Sequence, residues 1–257
     1  MSNWRLLKSL PLSASANMAL DEALFNVSSQ PILRFYSWKS PSVSVGYFQR
    51  LDEDFLRTCS DLNIPVVRRP TGGRAILHQF EITYSIISPY DLFPLPTTLT
   101  GIYKRLAHWQ VESLTALGLR AALADRRSDE SPYQKSESCF MTSTPYEVHV
   151  CGKKICGSAQ KRGKSSFLQH GSILVDVDVA LMQRLMGKGL FGPDTFTTLR
   201  REGYEGSVDS VIEIMEEKFP YFVESSLIET TLTDEEIKER DRLLNETYRN
   251  IDRRQGK

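Results

Sequence analysis

Three groups of side chains in this 257-residue chain have the types and spacing to do chemistry. The first is Arg68-Arg69-Pro70-Thr71-Gly72-Gly73-Arg74-Ala75. Paired glycines permit positive φ and close backbone approach, so amide N–H groups can face a phosphate or carbonyl oxygen while the arginines supply charge. The same run also reads as a hairpin turn with solvated arginines, and without a GK[ST] continuation it is not a nucleotide phosphate loop. The second group is Cys139 with Lys154. A thiol attacks as thiolate, and a neighbouring ammonium stabilises that anion and lowers its pKa. Gly157, Ser158 and Ala159, just beyond the lysine, are small enough to leave room for an acyl chain. Cys139 closes a polar stretch where core packing does not explain a cysteine, although a packed thiol and a solvated turn lysine are the plainer alternatives. The third group is His78 and His170, either of which can bond a substrate carbonyl, act as a base or serve as hydrogen-bonded structure. No two histidines have metal-ligand spacing, and no GxSxG turn supports a serine nucleophile.

The elements that must position these groups are legible in the hydrophobic periodicity. Asn17 to Val27 has helical spacing, with Ser15 or Asn17 as a cap. Ile32 to Trp38 and Ser42 to Phe48 read as strands around a Lys39-Ser40-Pro41 turn, Glu53 to Leu62 as a short helix, and Ile64 to Arg69 as an extended run into the glycine loop. Ala75 to Ser88 reads as one long strand or a bulged one. Leu99 to Leu117 is the best helix, ended by Gly118. After the polar stretch Arg126 to Ser138, three strands are expected over Tyr146 to Cys151, Lys154 to Gln160 and Phe167 to Val175, joined by Gly152-Lys153 and Arg162-Gly163-Lys164. Beyond Asp176 the pattern turns helical, and Thr233 to Glu236 is a capping box opening a charged C-terminal helix. Regular βαβ alternation is missing, which points to an α+β fold with mixed or largely antiparallel sheets.

Composition narrows the function classes. Thirty-two basic residues balance 32 acidic ones, so no general field draws the chain to nucleic acid or anionic lipid. No apolar run reaches the roughly 18 residues that span a bilayer, and the first residues lack a signal-peptide core, so a soluble, cytoplasmic protein is expected. Its four cysteines, Cys59, Cys139, Cys151 and Cys156, have no zinc-ribbon spacing and are expected as free thiols.

Taken in order, NMALDEAL (17–24), RFYSWKSPSVSVGYFQ (34–49), RRPTGGRAILH (68–78), E-x-TYS (81–85), SCF (138–140) and GKKICGSAQKR through LQHGSI (152–173) resemble the biotin/lipoate protein ligase and octanoyltransferase family. The likeness is greatest to the octanoyl-[acyl-carrier-protein]:protein N-octanoyltransferases that carry a cysteine after the central polar loop. TGGRA is similar to that branch, whereas ATP-using lipoate ligases more often read SGGGA. The resemblance implies a ligase-like α+β catalytic core over residues 1–190, with a helical segment over 191–257 packed on the same domain. It makes Cys139 the nucleophile and Lys154 the lysine that attends the acyl group. It assigns substrate contacts to Arg69, Gly72, Gly73, Arg74, His78, Gly157, Ser158, Ala159 and His170. The implied donor is octanoyl-acyl carrier protein, and the implied acceptor is a lysine of a glycine cleavage H protein or a dehydrogenase E2 lipoyl domain. Neither metal nor other cofactor, nucleic acid nor membrane is implied, and Arg68, Arg69 and Arg74 would meet acidic carrier or acceptor surfaces. Cys156 departs from the family, which usually has a small aliphatic residue there; it could line the same pocket as Lys154 or simply be packed. The rival readings are an ATP-dependent lipoate-protein ligase, a transferase working between lipoyl-accepting proteins, and an acyl-carrier or lipoyl-domain binding module without chemistry.

Overall fold

The computed structural model describes residues 3–124, 146–186 and 196–249. Its spine is a six-stranded sheet in the order β10-β11-β6-β2-β1-β12, formed by Cys156–Arg162, Ser166–Leu174, Glu81–Pro89, Ile32–Tyr36, Trp4–Lys8 and Leu227–Glu229. The half built from β10, β11, β6 and β2 is antiparallel, while β1 runs parallel to both β2 and β12. A small sheet, β4-β3-β5, joins Val66–Arg68, Ser42–Val45 and Ile76–His78, and a third, β7-β8-β9, joins Ala121–Leu123, Val148–Val150 and Lys153–Lys154. The mixed sheets with segregated helices make the α+β fold expected from the order of elements.

Burial explains the strands that hydrophobic alternation left ambiguous. β2 and β3 are buried at every residue, as strands covered on both faces are. Helix α1 (Ala14–Val27) lies against β11 and β6, and the long helix α3 (Leu99–Ala116) packs with α5 (Val208–Val223). Trp4, Trp109 and Phe219 form edge-to-face contacts between that helical pair and the sheet, with centroids 5.0 and 5.1 Å apart. Helices α2 (Glu53–Asp61) and α4 (Val179–Met186) cover the small sheet. Helix α6 (Asp234–Glu246), opened by the expected capping box at Thr233 and Glu236, lies along α1.

Several boundaries differ from those the sequence suggests. The cap of α1 is Ser13, whose Oγ accepts from Ala16 N, because Asn17 turns inward to donate to Ser37 O. The run 75–88 is two strands, broken at Gln79 and Phe80, where the chain leaves the small sheet for the large one. Phe80 O accepts from Val175 N and Asp176 N at that crossing, so its carbonyl is satisfied outside either ladder. The turn between β8 and β9 is Cys151-Gly152, both at positive φ (51° and 78°), one residue earlier than expected. Strands β1, β7 and β12 are short and carry no turn punctuation that announces them. Among the described residues no helix is long and apolar enough to cross a membrane.

Candidate active site

Two clefts flank strand β10, and the alternation of its side chains decides which residue faces which. Gly157 and Ala159 line a narrow cleft with about 290 Å³ of empty space, counting its open mouth. Its other walls come from both sheets and α1: Met18, Tyr36, Trp38, Ser44, Arg69, Ile76, His78, Thr83, His170, Gly171 and Ser172. Cys156 and Ser158 face a second, more polar cleft, shared with Tyr103, Gln110, Glu147 and Gln169. The small-residue patch read from Gly157-Ser158-Ala159 is therefore divided between two sides of one strand.

Buried polar networks hold the first cleft in shape. Asp21, fully buried on α1, accepts from Arg34 Nη1 (2.6 Å) and Ser85 Oγ (2.9 Å) through Oδ1, and from the Tyr36 hydroxyl (2.9 Å) through Oδ2. His170 Nδ1 lies 3.1 Å from the same Oδ2. Burial would push the Asp21 carboxyl up, but the Arg34 guanidinium, then His170 and Ser85, outweigh it and hold it below its ordinary 3.8. Burial likewise lowers His170, with Asp21 opposing, so the imidazole is neutral. Since ionised Asp21 can only accept, the ring proton sits on Nδ1 and Nε2 accepts from Thr71 Oγ1 at 2.6 Å. A chain of hydrogen bonds thus runs from helix α1 through His170 to the glycine loop.

His78 is held by a second set of partners. Its Nδ1 is 2.5 Å from Glu81 Oε1, its Nε2 is 2.7 Å from Ser44 Oγ, and the Trp38 ring stacks on it at 3.8 Å. The Thr83 hydroxyl donates to Glu81 Oε1 while accepting from Trp38 Nε1. The break at Gln79 and Phe80 makes this array possible, because it lets residues 78 and 81 face one another across two sheets.

The glycine loop is braced from inside. Arg69 donates to Gly72 O (2.7 Å), Arg74 O (2.8 Å) and Ser44 O (3.1 Å), and Arg68 donates to Gly46 O (2.8 Å) and Gln49 O (2.7 Å). Both arginines are buried, so the expectation that Arg68 and Arg69 face an acidic partner is corrected: their guanidinium N–H groups are turned inward onto converging backbone carbonyls. Gly73 sits at φ 92°, and Gly46 approaches it so closely that a Cβ on Gly46 would lie 1.8 Å from Gly73 O. Gly72, Gly73 and Arg74 flank the first cleft without appearing in its lining.

Lys154 is buried, with Nζ donating to Glu147 Oε1 at 2.7 Å, so the solvated-lysine alternative does not hold. Cys156 lies near enough to feel that ammonium, yet burial pushes its thiol far up. Cys139, with the whole polar stretch before it, falls outside the described residues.

Of the expected site residues, the fold gathers Arg69, His78, Gly157, Ala159 and His170 around one cleft and sets Ser158 and Lys154 apart from it. Sequence reasoning missed Asp21, Tyr36, Trp38, Glu81 and Glu147. Asp21 carries a readable signal, an acid one turn from Met18 and Leu24 on the apolar face of α1.

A cleft between the large and the small sheet, a glycine loop braced by arginines and a buried lysine on β9 are set in the α+β fold of a catalytic-domain class that comparison with known proteins identifies. The chain belongs to the lipoyl protein ligase A/B catalytic-domain family, which it matches over residues 13–220. It is 35% identical to octanoyltransferase LipM of Brevibacillus brevis, covering 96% of this chain and 97% of that one. It is 34% identical to octanoyltransferase LipM of Bacillus cereus, covering 95% of each. Its fold is similar to that of a putative lipoate protein ligase from T. acidophilum with bound lipoic acid, with a TM-score of 0.79 at 24% identity over 97% of this chain and 98% of that one.

Proposed function

We propose that this chain transfers an octanoyl group from octanoyl-acyl carrier protein to a lysine of a lipoyl-accepting protein, in lipoate biosynthesis, through a thioester on Cys139. The observation that carries the reading is the likeness to LipM octanoyltransferases over nearly the full length of both chains. A bi-partite lipoate protein ligase from Thermoplasma acidophilum, similar in fold, belongs to a lipoylation system with its E2 lipoyl domain, which supports the class of acceptor. In the first step the Cys139 thiolate attacks the donor thioester, the carbonyl passes through a tetrahedral oxyanion, and the carrier thiolate leaves. In the second, the neutral amine of the acceptor lysine attacks the enzyme thioester, the C–S bond breaks, and the proton leaves the nitrogen for the departing Cys139 sulfur or water as the amide forms. The first exchange is close to energy-neutral and amide formation is downhill, so no nucleotide is consumed.

The reading assigns the acyl tail to the apolar wall of the first cleft, where burial at about 0.8 kcal/mol per methylene would give an eight-carbon chain roughly 5 kcal/mol. Gly157 and Ala159 leave room where larger side chains would fill the cleft, and His78, Arg69 and His170 shape its polar wall. Lys154 supplies the cation for the thiolate and for the acyl carbonyl. Cys156 is the poorer nucleophile, because burial holds it as the thiol. Arg74 and the backbone of Gly72 and Gly73 face the donor or acceptor at the cleft's rim.

Intact mass spectrometry tests the reading. Mixed with octanoyl-acyl carrier protein, the chain should gain one octanoyl adduct that hydroxylamine removes and that Cys139→Ala does not form. An adduct that survives in Cys139→Ala and disappears in Cys156→Ala moves the nucleophile. ATP-dependent pyrophosphate release from free lipoate, with no adduct, replaces the transferase by a ligase.

A further inference from the structure

We propose that Glu147 is a positioning residue for octanoyl transfer, acting through Lys154. The inference rests on the reading above that Lys154 serves that transfer. The pair is built by a tight hairpin. Cys151 and Gly152 form a two-residue turn at positive φ, and the register that follows sets His149 opposite Lys154 and Val150 opposite Lys153. The amide of Ile155 donates to Val148 O, which extends the pairing to the residue beside Glu147. Glu147 O in turn accepts from Ala124 N, tying the backbone at that point to the end of β7. Nζ and Oε1 meet at 2.7 Å between side chains only 5% and 9% exposed.

Such a contact does two things that a surface ion pair does not. A lysine carries its charge on four rotatable bonds, and a carboxylate fixed on a rigid hairpin holds the ammonium at one place and sets the direction of its N–H bonds. It also makes the buried pair neutral overall, so that a cation can be kept away from water. Around the pair stand His149, whose Nε2 is 3.9 Å from Glu147 Oε2, and the Cys156 thiol on β10. The mechanism of transfer assigns Glu147 no part, and its reach into the second cleft places it next to strand β10.

The test is a double-mutant cycle on the full chain, with octanoyl-acyl carrier protein as donor and the rate of adduct formation as readout. Glu147→Ala should slow the step about tenfold or more at unchanged half-saturating donor. Glu147→Gln, whose amide oxygen accepts from Nζ in the same place but brings no charge, should recover part of that rate. In a Lys154→Ala background, Glu147→Ala should cost less than about twofold further, because its effect passes through the lysine. Costs that multiply in the two backgrounds overturn the proposal, as does a wild-type rate in Glu147→Ala or a glutamine variant no faster than the alanine one. Acetic anhydride labelling, read on the Lys154 peptide, checks the pairing without octanoyl chemistry and should rise severalfold in Glu147→Ala. If the wild-type chain forms no adduct, the transfer reading fails by itself; equal labelling in wild type and Glu147→Ala separately overturns the pairing.

Discussion

Asp21 and His170 are residues whose protonation is decided by several neighbours at once. Burial alone would favour a neutral carboxyl, but a guanidinium 2.6 Å away tips Asp21 to the anion. His170 is kept neutral by burial even with that anion at its Nδ1. Both folded-state pKa values are lowered, so both residues stabilise the fold at neutral pH and cease to do so in acid. For His170 the loss begins as pH falls below the ordinary 6.5, where the unfolded ring takes a proton and the folded one resists it. For Asp21 it comes only below 3.8, as pH falls through its folded value. The urea midpoint of the wild-type chain should therefore drop between pH 7 and pH 5, and a His170→Gln chain, less stable at pH 7, should show a shallower slope; parallel slopes would reject the assignment. Cysteine reactivity divides in the same local way. Iodoacetamide near neutral pH should alkylate the exposed Cys151 and spare Cys156 until the chain unfolds, since burial denies Cys156 its thiolate. Peptide mass mapping reads both sites.

The element that governs the first cleft is the glycine loop between β4 and β5. The backbones of Gly46 and Gly73 touch, and the contact is pinned from one side by Arg68 on Gly46 O and from the other by Arg69 on Gly72 O. A methyl group on Gly46 would meet a carbonyl oxygen, not the end of a flexible side chain, so the backbone itself must move. Gly46→Ala should cost about 1–3 kcal/mol in a denaturant titration and slow adduct formation, because the displaced loop no longer offers Thr71 to His170. Gly152→Ala keeps open space around its Cβ and suffers only the left-handed φ of 78°, so about 1 kcal/mol is expected there. A Gly46→Ala chain as stable as wild type would show that the close approach relaxes freely.

Across the whole molecule, the two ends of the chain are joined at β1. Strand β12 pairs parallel to it, and Arg5 reaches Glu236 at 2.5 Å, Thr231 O at 2.7 Å and Thr230 Oγ1 at 3.2 Å. Burial would raise the Glu236 carboxyl, but Arg5 and the Thr233 amide outweigh it, so its net shift is downward and the pair is ionic. The side chains are 8% and 3% exposed, and removing the cation leaves a buried carboxylate unpaired. Arg5→Ala should lose about 3 kcal/mol by urea denaturation and speed hydrogen exchange along α6 before it touches β6 and β11. Uniform exchange across the molecule would mean that the C-terminal elements are no separate unit. Helix α6 also lies on α1, with Tyr248 OH donating to Glu22 Oε2 at 2.6 Å, so the charged C-terminal segment braces the helix that carries Asp21.

Hydrophobic period, caps and turn residues were enough to determine helices α2, α3 and α6, strands β2 and β11, and the α+β class, because those cues act between residues close in the chain. The ordered motifs from Asn17 to Ile173 were enough to determine the family, since several independent runs in register cannot arise from composition. Only the tertiary structure decided that Arg68 and Arg69 are braces, that Ser158 turns away from Gly157 and Ala159, and that the strand after the glycine loop breaks to set His78 against Glu81. Each of those depends on which sheet face or neighbouring carbonyl a side chain meets. Partners at the site lie as far as 149 residues apart, as for Asp21 and His170, and a local pattern carries no record of them.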